Sequence, residues 1–186
     1  KGTETVSRAT DGDSIEVILQ ETPFYSEGGG QVGDGGEIVG PNGRVAIIDT
    51  KEAIPELIIH YGKVTQGTIQ VGDSVDTYVD TIRREDTARN HTATHMLHAA
   101  LREVLGPHVR QAGSLVTSDR LRFDFSHVKP VTDEEMWQIQ FLVNEKIRHN
   151  SNVIRSENTY SGAIEEGALA FFGDKYGEKV RVVEVG

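Results

Sequence analysis

The chain has 186 residues, carries 19 Lys and Arg against 29 Asp and Glu for a formal charge of −10, and contains no cysteine. That length buries one medium core or two small ones, and the missing thiol excludes a disulfide scaffold, an iron–sulfur cluster, a cysteine nucleophile and a thiolate zinc finger from these residues. The longest apolar run, Ala168 to Phe172, falls far short of the roughly 20 residues that span a bilayer, and no basic stretch leads into an apolar one, so a soluble, cytoplasmic chain with no membrane partner is expected.

From Lys1 to about Thr81 short β-prone runs alternate with turn residues. Strands are predicted over Ser14–Leu19, Arg44–Asp49, Glu56–Tyr61, Thr68–Val71 and Ser74–Val79. Asp11-Gly12-Asp13, Pro41-Asn42-Gly43 and Val71-Gly72-Asp73 punctuate them, because Gly accepts positive φ and Asn or Asp bonds its own backbone. Strands this short and evenly spaced predict a small β-barrel or meander, and a barrel-like subdomain is expected over residues 1–83. Past Arg83 the period becomes helical. Ala93, Leu97, Leu101, Val104 and Leu105 share one face of a helix over Arg84–Leu105, which Gly106-Pro107 ends.

A strand pair follows at Ser114–Val116 and Leu121–Phe125, and then a helix over Asp133–His149. Thr132 and Glu135 form its capping box, and Met136, Ile139, Val143 and Ile147 its expected buried stripe. Asn152–Asn158 reads as a strand, Ser161–Ala168 as a short helix and Lys179–Val185 as a last strand. Residues 84–186 are therefore expected to form an α+β subdomain after the all-β one. The chain starts at Lys1 and stops at Gly186 just after a strand, which reads as an excised internal fragment.

Three of the seven histidines, His91, His95 and His98, lie in H-T-A-T-H-M-L-H. Positions i, i+4 and i+7 fall within about 60° on a helix, so the three imidazoles project from one side and are expected to wall a cleft. Two histidines at i, i+4 can share a zinc ion. Thr92 stands where a zincin needs its general-base Glu, which disfavours metalloprotease chemistry. His60, His108 and His149 carry no signal of their own.

The second informative stretch is T-P-F-Y-S-E-G-G-G-Q-V-G-D-G-G over Thr22–Gly36. Consecutive glycines let backbone N–H groups approach an anionic or carbonyl-bearing ligand. No Gly-Lys-Ser/Thr follows, and no long helix opens after the loop, so neither a Walker A loop nor a dinucleotide fingerprint is present.

Taken with N-H-T-A-T-H-M-L-H-A-A-L-R-E-V-L (Asn90–Leu105), H-V-R-Q-A-G-S-L-V (His108–Val116), L-R-F-D-F-S-H (Leu121–His127) and G-A-L-A-F-F-G-D-K-Y-G (Gly167–Gly177), the sequence resembles the editing domain of alanyl-tRNA synthetase and the related free-standing alanyl-tRNA editing proteins. The resemblance implies an α+β fold of the alanyl/threonyl-tRNA synthetase editing type. It implies a hydrolase that removes serine or glycine wrongly attached to the alanine tRNA. Implied partners are the acceptor end of tRNA(Ala), its Ser- and Gly-charged forms, and the other domains of the same synthetase, to which ATP binding belongs.

By the same resemblance, His91 and His95 match the first pair of a zinc site whose remaining ligands, a Cys-x-x-x-His segment, are expected beyond Gly186. Thr94, Gln111 and Ser114 match positions around the editing pocket, and Thr22 a position implicated in recognising the serine hydroxyl. Gln111 and Thr94 are the expected catalytic residues, with Gln111 or the tRNA's terminal hydroxyl positioning water. Thr22, Gly29, Gly30, Gln31 and Ser114 are the expected substrate-binding residues. A free-standing deacylase and a metal-free tRNA-binding fragment are the alternatives.

Between Thr81 and His127 seven arginines meet five acidic residues, a local positive excess suited to phosphates. Trp137, Phe141, Phe171 and Phe172 are expected in the core. Arg122, Asp124 and His127 alternate about Phe123 and Phe125 and suit a strand's polar face or a pocket rim equally.

Overall fold

The structure, a computed structural model, describes residues 4–165 and 179–185. The G-A-L-A-F-F-G-D-K-Y-G stretch, with Phe171 and Phe172, and the last three residues of the expected Ser161–Ala168 helix lie outside the described residues. The chain divides into two compact units, Lys1–Thr94 with Gly113–Phe123, and His95–Ala112 with Asp124–Gly186.

The first unit is organised by an antiparallel sheet of β1 (Arg8–Thr10), β2 (Ser14–Ile18), β3 (Gly36–Val39), β4 (Gly43–Ile54), β5 (Leu57–Gln70) and β6 (Asp76–Val79). Strand order is β1-β5-β4-β3-β6, with β2 also pairing β5. The sheet has two edges and is not a closed barrel, which corrects the barrel-like expectation. Two strands outrun their sequence signals. The predicted runs Glu56–Tyr61 and Thr68–Val71 are parts of one 14-residue β5, and β4 extends five residues past Asp49. Register shifts at Arg44/Val45, Ile47/Asp49 and Glu52/Ile54 explain why period-2 reading broke there, since each bulge resets which face a side chain takes.

One face of this sheet carries the core: Ala9, Ile15, Phe24, Ile38, Val45, Ile47, Val64 and Ile69. On β5 the inward positions run His60, Gly62, Val64. Gly62 is required there, because a Cβ would stand 2.6 Å from the Ala46 carbonyl oxygen on β4. A histidine alternating in phase with core residues is the polar exception on that face.

Helix α1 (Thr81–Leu105) begins in the first unit and continues into the second. Its buried residues are Thr87, Thr94, His98, Ala100 and Leu101. At 100° per residue, Thr87, His91, Thr94, His98 and Leu101 form one stripe. The buried face is thus more polar than the predicted leucine stripe, of which Leu101 alone is fully buried. It tolerates this because Thr87 and Thr94 donate their hydroxyls to the carbonyls of Arg83 (2.7 Å) and Asn90 (2.8 Å), and a bonded hydroxyl can be buried at little cost. The expected cleft wall of three imidazoles is corrected too: His98 is a core residue, 1% exposed, while His95 keeps solvent contact.

β7 (Arg110–Val116) and β8 (Leu121–Ser126) form a two-stranded ribbon. In the second unit, α2 (Asp133–His149) has the full capping box of Thr132 and Glu135. The Thr132 N–H, Lys129 and the Thr132 hydroxyl hold the Glu135 carboxyl down at a pKa of about 2. Its expected buried stripe is reduced to Ile139. Met136 and Ile147 are exposed, as are Trp137 and Phe141, which stack on each other with centroids 5.7 Å apart rather than entering a core. β9 (Val153–Thr159) and β10 (Lys179–Val185) pair antiparallel in full register, with α3 (Tyr160–Glu165) following β9. Among the described residues no helix is long and apolar enough to cross a membrane.

Candidate functional site

The glycine-rich loop is a constructed turn. Gly28 and Gln31 exchange both backbone hydrogen bonds (3.0 and 2.9 Å), and the two residues between them, Gly29 and Gly30, have φ of +60° and +83°. Positive φ at both central positions is the type I′ hairpin, which glycine adopts without strain. The N–H groups of Gly28 and Gln31 are therefore consumed within the turn. Those of Glu27 and Val32 go to the carbonyls of Thr50 (2.8 Å) and Val116 (3.1 Å). This loop positions side chains more than it cradles a ligand with backbone.

Three sets of contacts fix it. The carbonyl of Gly30 accepts the Val116 N–H at 2.7 Å, and Gln31 bridges Val116 in parallel, so the turn is stitched to the end of β7. A Cβ on Gly30 would lie 2.8 Å from both the Cβ and the carbonyl oxygen of Ser114, so only glycine permits this approach. At the far end Gly33 passes the Thr50 backbone so closely that a Cβ would meet its carbonyl oxygen at 2.1 Å. Asp34, 5% exposed, accepts the Tyr25 N–H at 2.7 Å and the guanidinium of Arg84 from α1, which also donates to the Pro23 carbonyl at 2.7 Å.

These anchors present two polar side chains. Gln31 Oε1 accepts from His91 Nδ1 at 2.7 Å. A carbonyl oxygen only accepts, so Nδ1 carries a proton, and in the neutral form of the ring Nε2 would hold the lone pair. Thr22 Oγ1 stands 2.7 Å from His60 Nε2, and His60 Nδ1 stands 2.9 Å from the carbonyl of Val17. Burial pushes the His60 pKa below its ordinary value.

Of the expected site residues, the structure joins Gly29, Gly30, Gln31, Ser114 and His91 into one arrangement within the first unit. Thr94 lies on the same unit's helix face, buried, with its hydroxyl directed to the helix backbone. Thr22 is met by His60. Gln111, half-buried on β7, and His95 belong to the second unit. Desolvation by the surrounding protein pushes the His95 pKa below its ordinary value.

His91 and His95, one turn apart on α1, suit zinc in donor type. Among the described residues no group of three or more His, Asp or Glu gathers to complete a tetrahedral shell. As donors the two rings would supply two of the four ligands of a tetrahedral shell.

Residues that the sequence left silent do much of the positioning: His60, Thr50, Asp34, Arg84 and Asn90, whose side-chain amide donates to the carbonyls of Thr117 and Ser118 beyond β7. Two of the seven arginines behind the expected positive excess are paired with acids. Arg84 serves Asp34, and Arg89 pairs with Glu85 and Asp86.

The model of the class II (A) tRNA synthetases matches residues 1–83. Over nearly its whole length the chain is 50% identical to the alanine–tRNA ligase of Roseiflexus sp. strain RS-1 (98% of this chain, 20% of the relative) and 51% identical to that of Thermoanaerobacter sp. strain X514 (100% and 21%). In sequence, this chain is similar to the alanine–tRNA ligases. It is 50% identical to the ligase of Chloroflexus aurantiacus over 98% of its residues as well. The chain spans about a fifth of the length of the curated relatives it matches. Family likeness thus extends past the model's boundary at residue 83, through the histidine helix and the β7 ribbon that meet the glycine turn.

Proposed function

We propose that this chain is the proofreading segment of an alanine–tRNA ligase, hydrolysing the ester of tRNA(Ala) mischarged with serine or glycine. A synthetic site shaped for alanine discriminates poorly against one added hydroxyl, typically by about two orders of magnitude, and cannot shut out the smaller glycine. For the seryl ester, a second site that offers the hydroxyl a buried partner discriminates against alanine far more strongly, because its polar groups would go unpaired, while the glycyl ester is separated from alanine by size.

The observation that carries this reading is the joining of the glycine turn to the histidine helix by the Gln31–His91 bond, in a chain that follows alanine–tRNA ligases from end to end. Thr22, Gln31 and Ser114 are the acceptors and donors such a site needs. Thr94 shapes the helix wall, and Gln111 positions the attacking water. His91 and His95 would hold zinc, which would supply Lewis acidity. The scissile bond is an activated ester, so modest catalysis suffices.

The test is hydrolysis of Ser-, Gly- and Ala-tRNA(Ala), by this chain and by a complete alanine–tRNA ligase carrying the same substitutions. Ser- and Gly-tRNA should be hydrolysed and Ala-tRNA spared, and Gln111→Ala and His95→Ala should each collapse the rate. Wild-type rates in both variants sink the proposal. Retained RNA binding with no hydrolysis in either protein would assign the segment to binding alone.

A further inference from the structure

Thr22 and His60 form a hydrogen-bonded relay with a defined direction. The Val17 carbonyl can only accept, so His60 Nδ1, 2.9 Å away, carries its proton. The ring is completely buried, with Phe24 packed edge-on against it at 5.2 Å between centroids. Such surroundings favour the neutral imidazole, in which one nitrogen donates and the other accepts. Nε2 is then the acceptor, and the Thr22 hydroxyl donates to it over 2.7 Å. One lone pair of Thr22 Oγ1 takes the Phe24 N–H at 3.2 Å. What Thr22 offers to a ligand is its second lone pair.

We infer that His60 is a specificity-positioning residue: by taking the hydroxyl proton of Thr22 it turns Thr22 into an acceptor that only a donating group on the substrate, the hydroxyl of a seryl ester, can satisfy. The inference rests on the editing reading for its substrate. An α-ammonium group also donates, but seryl, glycyl and alanyl esters all have one, so it separates none of them.

The same geometry resembles a nucleophile–base pair, and charge decides between the two. A general base at His60 would become a buried imidazolium. Hydrolytic triads stabilise that cation with a carboxylate on the other ring nitrogen; here that place is held by a neutral carbonyl. His60 therefore orients Thr22 and does not deprotonate it for attack.

The experiment compares kcat/KM for Ser- and Gly-tRNA(Ala) in a complete alanine–tRNA ligase carrying His60→Asn, His60→Gln, Thr22→Val, or Thr22→Val with His60→Asn. Asparagine retains a partner for Val17 and loses the acceptor for Thr22, so the Ser/Gly ratio should fall about tenfold, the scale of one hydrogen bond. Glutamine places an amide oxygen near the former Nε2 and should restore most of the ratio. The double variant should discriminate no worse than Thr22→Val alone, because His60 acts through Thr22. Additive losses, or an unchanged ratio in His60→Asn, overturn the inference, as does an acyl group trapped on Thr22. Imidazole ¹⁵N shifts of the unaltered protein give a readout that needs no activity or variant folding: Nδ1 protonated and Nε2 accepting is expected, and the opposite tautomer refutes the relay. If no ester is hydrolysed by the wild type, the editing reading fails, while the tautomer still decides the direction of the Thr22–His60 bond.

Discussion

Replacing Asp34 by alanine tests whether the glycine-rich loop is held as described. The carboxylate is nearly inaccessible, whereas the Arg84 side chain keeps 39% of its exposure. Removing one partner of a fully buried pair costs about 3–5 kcal/mol. Arg84 can turn to water and keeps its bond to the Pro23 carbonyl, so the loss should lie at the lower end, about 3 kcal/mol. It comprises one charge-assisted pair and the abandoned Tyr25 N–H, at about 1.5 kcal/mol each. Urea titrations of Asp34→Ala, Arg84→Ala and the double variant separate the two contributions, and the cycle should give a coupling of about 1.5 kcal/mol. A coupling below about 0.3 kcal/mol, the level of an exposed ion pair, would refute the claim that burial makes this contact matter.

The two turn glycines should respond differently. Gly29→Ala meets nothing within 4 Å and should cost only the left-handed conformation, about 1 kcal/mol. Gly30→Ala adds a collision with Ser114, should cost about 3 kcal/mol, and should release the turn from β7 in hydrogen exchange at Val116. Gln31→Leu leaves His91 Nδ1 without its carbonyl acceptor and should weaken zinc binding about 10- to 100-fold, read by chelator competition; unchanged affinity would show that the bond does not orient the ring. Burial holds the folded pKa of His60 and of His98 below 6.5, so the unfolded chain binds the extra protons. Stability is then intact above about pH 6.5 and declines as pH falls through that value, by up to about 1.4 kcal/mol per pH unit for each ring. A flat urea midpoint between pH 7.5 and 5 would contradict this.

What the sequence made legible follows from how local each signal was. The α2 capping box is a four-residue pattern and was read directly, as was the helical period of α1. The open sheet was misread as barrel-like because nothing local says whether β6 returns to β1. The division of β5 into two runs came from Gly62 and Gly67, which look like breaks but mark close passage to β4 and a left-handed residue at φ +68°. His60 was silent because a histidine in a β-run shows its meaning only when Val17, 43 residues earlier, and Thr22 are brought to its two nitrogens. The exposure of Trp137 and Phe141 was equally invisible, since a helical apolar spacing does not say what covers it.

The pairing of β5 bears on how the protein is made. Its last residues, Thr68–Gln70, lie beside Arg8–Thr10, and β6, Asp76–Val79, closes onto β3, so the sheet cannot complete until Val79 has been synthesised. Gln31 must then wait for His91, and the glycine turn for Val116, before either is fixed. The recognition elements are thus the last part of the first unit to assemble. A nascent chain stalled between residues 80 and 116 would hold a finished sheet with an unanchored loop, which is the stage at which a chaperone or a protease would find it.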